Sequence, residues 1–251
     1  MKFRLKAFGL HITGSATALA LVLGLLWLGW YRWPGWYLTG VLSVAAMMAG
    51  IDVVLGPLLT FVVANPAKPR RGLARDIAVI VAVQVVALIY GTTTLWQGRP
   101  LYYLFSENEL QVTQASDLEP GQISLGRKLN PEFAPHWYSR PRWVWAPLPQ
   151  DPKIRDEIMK SAITGGNDVI QRPRYFKPWA QGLPALRKQL KAANQLHEFS
   201  LAQKQTLQRR MLQMGFNPQE ANAVPMLGRA RPLLGVFDLQ TMQISALIRA
   251  D

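Results

Sequence analysis

Long apolar runs without charge dominate the first 98 positions of the chain, and shorter apolar runs alternate with polar segments afterwards. A helix of about 20 apolar residues is long enough to cross the hydrocarbon core of a bilayer. The pattern therefore predicts three membrane spans, at about residues 10–31, 36–64 and 77–97. We expect residues 1–98 to form a membrane domain and residues 99–251 to form a separate polar domain.

The polar domain contains two pairs of apolar or alternating runs, within residues 101–115 and 233–248, and each pair encloses a polar turn. Such pairs are typical of β-hairpins. Start signals such as Asp151 before a proline, and stop signals such as Gly215, predict helices between the hairpins. The order of strands, helices and strands predicts a small α+β domain. The helices are expected at 151–164, 184–197 and 200–214, and residues 117–150 are expected to be irregular.

A single ionisable residue, Asp52, interrupts the second apolar run. An aspartate at the centre of a membrane helix costs about 2.5 kcal/mol or more, so such residues are usually functional or paired. Further along the same helix, Pro57 has no backbone N–H and leaves the carbonyl of Val53 without its helical donor. An acid near a Gly-Pro kink is the most distinctive chemical feature of the sequence.

One face of this second span is built from small and polar residues. On a helix that turns 100° per residue, positions i, i+4, i+7, i+11 and i+15 lie within roughly 80° of one another. Small faces of this kind let transmembrane helices approach one another closely. Together with the kink residue, this face is the predicted partner-binding set: Asp52, Ala45, Ala49, Gly56, Pro57 and Thr60.

The position of Asp52 on this face has two interpretations of equal weight. Either the acid is satisfied by neighbours within the protein, such as Thr17 or Gln84, or it meets an intramembrane helix of a partner. A proton or ion pathway is a weaker third interpretation, because three spans with one acid make a poor conduit.

Charges around the spans predict their orientation. The basic start of the chain and the turn-rich segment 65–76 are expected in the cytoplasm, because loops rich in Lys and Arg stay on that side. The aromatic turn at Pro34 carries one charge, Arg32, and is expected outside, with its Trp and Tyr rings at the membrane–water interface. The third span then ends outside, so residues 99–251 would be periplasmic in a bacterium with two membranes.

Composition points away from several classes of chemistry. The net charge of +13 reflects basic residues beside the spans and scattered through the polar domain rather than a nucleic-acid-binding stripe. The chain has no cysteine, which excludes disulfides and thiolate metal sites. Three histidines, His11, His136 and His197, lack metal-type spacing, and no nucleophile elbow or phosphate loop is found. We therefore expect no catalytic residue, cofactor or metal, and we expect His11 to be an interfacial residue.

Four short motifs carry a resemblance to a known family: IDVVLGPLLT at residues 51–60, NPAK at 65–68, YG at 90–91 and RPLY at 99–102. Their order resembles the type IV pilin accessory proteins, the TfpX/TfpZ group, which is FimB-like. The resemblance implies a bacterial inner-membrane protein that assists a particular major pilin in its stability, its assembly into the pilus or pilus dynamics. It implies no catalytic residues.

A pilin partner suits the division of this chain into a membrane domain and a polar domain. On this hypothesis Asp52 and its small face contact the membrane helix of the pilin, while residues 99–251 contact the pilin head. The alternative function is a membrane-anchored enzyme that modifies pilin or another envelope substrate.

Overall fold

Three long apolar helices make up most of the N-terminal part of the computed structural model, which describes residues 1–192 and 195–251. Each is long and apolar enough to cross a membrane, which confirms the three predicted N-terminal transmembrane helices. The second of them is built from three consecutive segments and follows a short separate helix. The elements are α1 (Lys2–Gly29), α2 (Gly35–Thr39), α3 (Val41–Ala49), a π-helical segment (Gly50–Leu55), α4 (Gly56–Val63) and α5 (Arg70–Gln97).

The helices differ from the apolar runs at their ends. α1 begins at Lys2 and α5 begins at Arg70, because charged residues continue the hydrogen-bonded helix past its apolar portion. The second long helix begins at Val41 and excludes α2. Gly40 separates the two, since its φ of 73° is a left-handed conformation that glycine adopts without steric cost.

The described residues form two compact units. The first contains Met1–Arg32 and Gly40–Gly98, and the second contains Trp33–Thr39 and Arg99–Asp251. α2 therefore belongs to the second unit, where Tyr37 and Leu38 are buried in the hydrophobic core. Part of the aromatic turn that was expected at the membrane–water interface thus packs inside a protein core.

Within the described part of the second unit, seven strands form one mixed sheet. They are β1 (Pro100–Ser106), β2 (Glu109–Gln114), β3 (Arg142–Trp145), β4 (Lys177–Pro178), β5 (Asn222–Leu227), β6 (Leu233–Phe237) and β7 (Ile244–Arg249). Their order across the sheet is β4-β3-β1-β2-β5-β6-β7. β1 with β2 and β6 with β7 are antiparallel hairpins, as predicted, and β5 joins them by pairing with both β2 and β6. Together with the helices that accompany the sheet, this confirms the predicted α+β class.

Four longer helices accompany the sheet: α6 (Pro120–Leu129), α7 (Pro152–Ile163), α8 (Trp179–Gln189) and α9 (Leu201–Gln213). α7 begins at its predicted cap, where the Asp151 side chain accepts from the N–H of Lys153. Ser200 caps α9 through a capping box with Gln203. α8 begins before the predicted helix 184–197 and ends at Gln189, and positions 193 and 194 of that helix lie outside the described residues.

Several elements of the second unit were not predicted from the sequence. Residues 117–150, expected to be irregular, contain α6 and β3, and the prolines that surround β3 hide its alternation. β5 was not predicted because it contains Pro225, which cannot donate to a ladder and usually marks an edge strand or a bulge. β5 nevertheless lies between β2 and β6 in the sheet.

Side-chain and backbone contacts hold α2 within the second unit. The Tyr37 hydroxyl donates to Oδ1 of Asp251 at 2.7 Å, and Arg231 donates to Oδ2 of the same carboxylate at 2.7 Å. The N–H of Ala230 donates to the carbonyl of Leu38 at 3.0 Å. Burial and then the contact with Asp251 raise the pKa of Tyr37 to about 12.

These contacts predict an acid-sensitive link between α2 and Asp251. The hydrogen bond from Tyr37 holds the pKa of Asp251 below its ordinary value, with Arg231 and Arg249 adding to the effect. A depressed carboxyl pKa stabilises the fold above the ordinary value of about 3.9, and that stability is lost as the pH falls through the folded-state pKa. We expect the stability of Asp251→Asn to fall less steeply at acidic pH than that of the unmodified protein. Tryptophan fluorescence of the full chain in mild detergent measures this dependence.

Tyr37→Phe is the matched variant for this link, because it keeps the buried ring and removes only the hydroxyl donor. Tyr37→Phe should also make the loss of stability at acidic pH less steep. Its effect should be smaller than that of Asp251→Asn, because Arg231 still pairs with the carboxylate. Acid unfolding curves identical to that of the unmodified protein in both variants would contradict the assignment.

Candidate functional site

Four polar residues connect the three long helices of the first unit, and we call them the polar cluster: His11, Asp52, Thr60 and Gln84. Nδ1 of His11 lies 2.5 Å from Oγ1 of Thr60, and Nε2 of His11 lies 2.5 Å from Oε1 of Gln84. Nε2 of Gln84 donates to the backbone carbonyl of Asp52 at 2.9 Å. The cluster therefore links α1 to both other long helices, and α5 to the π-helical segment.

The directions of the two hydrogen bonds made by Gln84 follow from its amide group. Since its Nε2 donates to Asp52, its Oε1 is the acceptor and His11 must donate from Nε2. Nδ1 of His11 shares a hydrogen bond with the Thr60 hydroxyl, a group that can either donate or accept. Both ring nitrogens of His11 and both functional atoms of the Gln84 amide thus have a partner within the polar cluster.

The π-helical segment explains why Gln84 bonds to a backbone carbonyl. The N–H of Gly56 donates to the carbonyl of Ile51, which is the i to i−5 register of a π-helix. The next donor in that register would come from Pro57 to Asp52, and proline has no N–H. The Gln84 side chain supplies the missing donor. In the π-helical register Pro57 leaves the carbonyl of Asp52 without a backbone donor, whereas the α-helical register assumed from the sequence assigned that loss to Val53.

Two glycines allow the helices to approach this closely. A Cβ atom on Gly56 would overlap the side-chain amide of Gln84, so the hydrogen bond to Asp52 requires glycine at this position. On the facing side of α5, a Cβ atom on Gly91 would lie 2.6 Å from the side chain of Met48. Close backbone approach at small residues is the usual way in which membrane helices pack.

The carboxyl group of Asp52 remains only partly satisfied. Asp52 is 4 % exposed, and its Oδ2 atom has no hydrogen-bond partner among the described residues. No water is available in the hydrocarbon region to satisfy such an atom, so leaving it unpaired costs several kcal/mol, on the order of 2 or more. The polar cluster thus contains an unused acceptor at its centre.

Asp52 is among the residues that line a cleft of about 420 Å³ between α1 and α5. All four members of the polar cluster contribute to its lining. The α1 wall includes the small residues Gly14, Ser15 and Ala18, and the α5 wall includes Val81 and Val85. The cleft therefore combines apolar walls with a few polar atoms, which is typical of a binding site.

Comparison with known proteins places this chain among proteins of fimbrial assembly. It is 27% identical over 254 residues to the fimbrial assembly protein of serogroup I from Dichelobacter nodosus, covering 99% of this chain and 96% of the relative. The serogroup E1 protein is 26% identical over the same extent of both chains. The protein of serogroups C1 and C2 is 33% identical over 116 residues, which are 46% of this chain and 88% of the relative. This chain belongs to the fimbrial assembly protein family.

The first two matches extend over both units of this chain. Because the alignments cover 99% of the chain, they include the three long helices and the α+β unit. No protein-family model and no solved structure matches the chain.

The residues of the predicted partner-binding set differ in how deeply they are buried. Asp52, Gly56, Pro57 and Thr60 are buried, and Ala45 and Ala49 are half-buried. The segments that carry this face contact α1 and α5 of the same chain. Asp52 and Thr60 also line the cleft. Of the two neighbours expected for Asp52, Gln84 bonds to its backbone, whereas Thr17 is exposed.

The sequence did not reveal the role of His11, which was expected to be interfacial. Its ring instead bonds to residues 49 and 73 positions away in the chain. A usable signal was present, because an imidazole within an apolar span needs partners at both nitrogens. Within residues 1–192 and 195–251, no group of three or more His, Asp or Glu side chains is arranged to hold a metal ion. The contacts observed within the polar cluster are hydrogen bonds.

Proposed function

We propose that this protein acts in type IV pilus assembly as an inner-membrane, chaperone-like accessory of the major pilin, of the TfpX/TfpZ, FimB-like kind. The observation that carries the proposal is the similarity to two fimbrial assembly proteins along the whole chain. Three apolar helices and an α+β unit suit a partner that has a membrane helix and a soluble head. On this proposal both parts contact pilin and affect its stability, its assembly or pilus dynamics.

The proposed orientation has a cytoplasmic N-terminus and a periplasmic second unit. Nε of Arg4 donates to the carbonyl of Ala64 at 3.0 Å, which brings the basic start of α1 beside the end of α4. Basic residues at both of these places then lie at one end of the first unit, and an end rich in Lys and Arg favours the cytoplasm. A cysteine introduced at exposed Trp137 should react with a membrane-impermeant thiol reagent once the outer membrane is made permeable.

We propose a non-enzymatic role, in which pilin is bound and not modified. In a mild detergent extract of cells that make a type IV major pilin, we expect pilin to co-purify with the tagged protein. Deletion of the gene should lower surface piliation while the intact mass of pilin stays unchanged. A pilin mass that depends on the protein would favour a membrane-anchored enzyme instead. Absence of pilin from the complex, together with normal piliation of the deletion strain, would contradict the proposal.

A further inference from the structure

We propose that the cleft between α1 and α5 binds a membrane-embedded helix of a partner, and that this helix presents a hydrogen-bond donor to Oδ2 of Asp52. The identification of that partner as pilin rests on the proposed function. The chemistry of the cleft is argued from this chain alone.

The first step is that the fold does not use this oxygen atom. The Gln84 amide donates to the backbone carbonyl of Asp52 and accepts from His11, so both of its functional atoms are already bonded. Oδ2 has no partner among the described residues although Asp52 is almost completely buried. A partner that supplies a donor would therefore remove an existing penalty and break no bond of the cluster.

The second step is that the walls of the cleft suit a helix. Gly14 and Ala18 are exposed and lie one helical turn apart on α1, so they form a shallow, small-residue wall. Val81 and Val85 repeat the same spacing on α5 and are 41% and 46% exposed. An apolar helix can pack against both walls, and one of its polar side chains reaches Oδ2 once the Asp52 side chain turns toward the cleft, because that atom is itself buried.

The third step concerns the chemistry of the occupant. A lipid acyl chain fits apolar walls, but it has no donor for a carboxyl oxygen. A hydroxyl or amide group on a helix can donate to Oδ2, and an amino group adds charge complementarity if the carboxyl group is ionised. The favoured occupant is thus an apolar transmembrane segment with one donor at the depth of Asp52.

The test is photocrosslinking from two matched positions on α5 in cells that make pilin. Benzoylphenylalanine replaces Val85, which lines the cleft, or Val83, which is 63% exposed and does not. We expect Val85 to crosslink to the membrane helix of pilin and Val83 to crosslink much less. Asp52→Leu should reduce the Val85 product by roughly three- to ten-fold, and Asp52→Asn, which keeps an acceptor oxygen, should reduce it less.

A second variant keeps the test decisive if Asp52→Leu does not accumulate. Ala18→Leu narrows the cleft from its exposed wall, and Thr17→Leu on the same helix is its control because Thr17 is exposed and does not line the cleft. Only Ala18→Leu should reduce crosslinking from Val85.

The outcomes separate this inference from the proposed function. Equal crosslinking from both valines, products that contain only lipid or this chain, or no effect of Asp52→Leu and Ala18→Leu would overturn the inference, even if pilin co-purifies. A product that depends on Asp52 and contains the membrane helix of another protein would support the inference. If pilin is then also absent from the complex, the proposed function fails while the inference stands.

Discussion

Replacing Gly56 by alanine should destabilise the three-helix unit by about 1–3 kcal/mol, although alanine is the better helix former. The new Cβ atom would overlap the amide of Gln84, and the flexible side chain can relieve that overlap only by moving. Its bonds to His11 and to the carbonyl of Asp52 are then lost. The free energy of unfolding can be measured by titration with sodium dodecyl sulfate in mixed micelles.

A double-mutant cycle identifies the cause of this loss. In a Gln84→Ala background the amide is absent, so Gly56→Ala should cost nothing and can add up to about 1 kcal/mol through helix propensity. Gly50→Ala is the matched control in the same span, because a Cβ atom there meets nothing within 4 Å. An equal loss from Gly56→Ala in both backgrounds would show that the overlap with Gln84 is not the reason for glycine.

Local patterns were sufficient to predict much of the fold. The lengths of the apolar runs predicted three membrane helices, and the cap signal at Asp151 predicted the start of α7. Such features depend on neighbouring residues only. β5 escaped prediction because its strand character comes from pairing with β2 and β6, which overrides the usual effect of Pro225.

The candidate site was predicted only in part, because some of its features are local in the sequence and others are not. Asp52 was identified as a candidate because a carboxylate within a membrane helix is energetically costly. Helical periodicity then placed Thr60 on the same face. The i to i−5 hydrogen bonding of the π-helical segment could not be predicted, because the periodicity argument assumes an α-helix. The bonds of His11 and Gln84 join distant parts of the chain, so no local period contains them.

Replacing Gln84 by leucine should have the second large effect, a loss of about 2–4 kcal/mol in the stability of the first unit. Leucine is similar in size but can neither accept from His11 nor donate to the carbonyl of Asp52, so it leaves a half-buried ring nitrogen and a buried carbonyl unpaired. Gln97→Leu, on the exposed end of the same helix, is the control and should change stability little. Thermal denaturation in mild detergent measures both variants.

Asp52→Asn separates packing from recognition when it is compared with Gln84→Leu. Because Gln84 bonds to the backbone of residue 52, the amide variant keeps the polar cluster, and its stability should change by less than about 1 kcal/mol. A loss as large as that of Gln84→Leu would mean that the carboxyl group itself holds the helices together. A stable Asp52→Asn protein that binds pilin less well would instead mean that the unit tolerates a buried acid because a partner needs it.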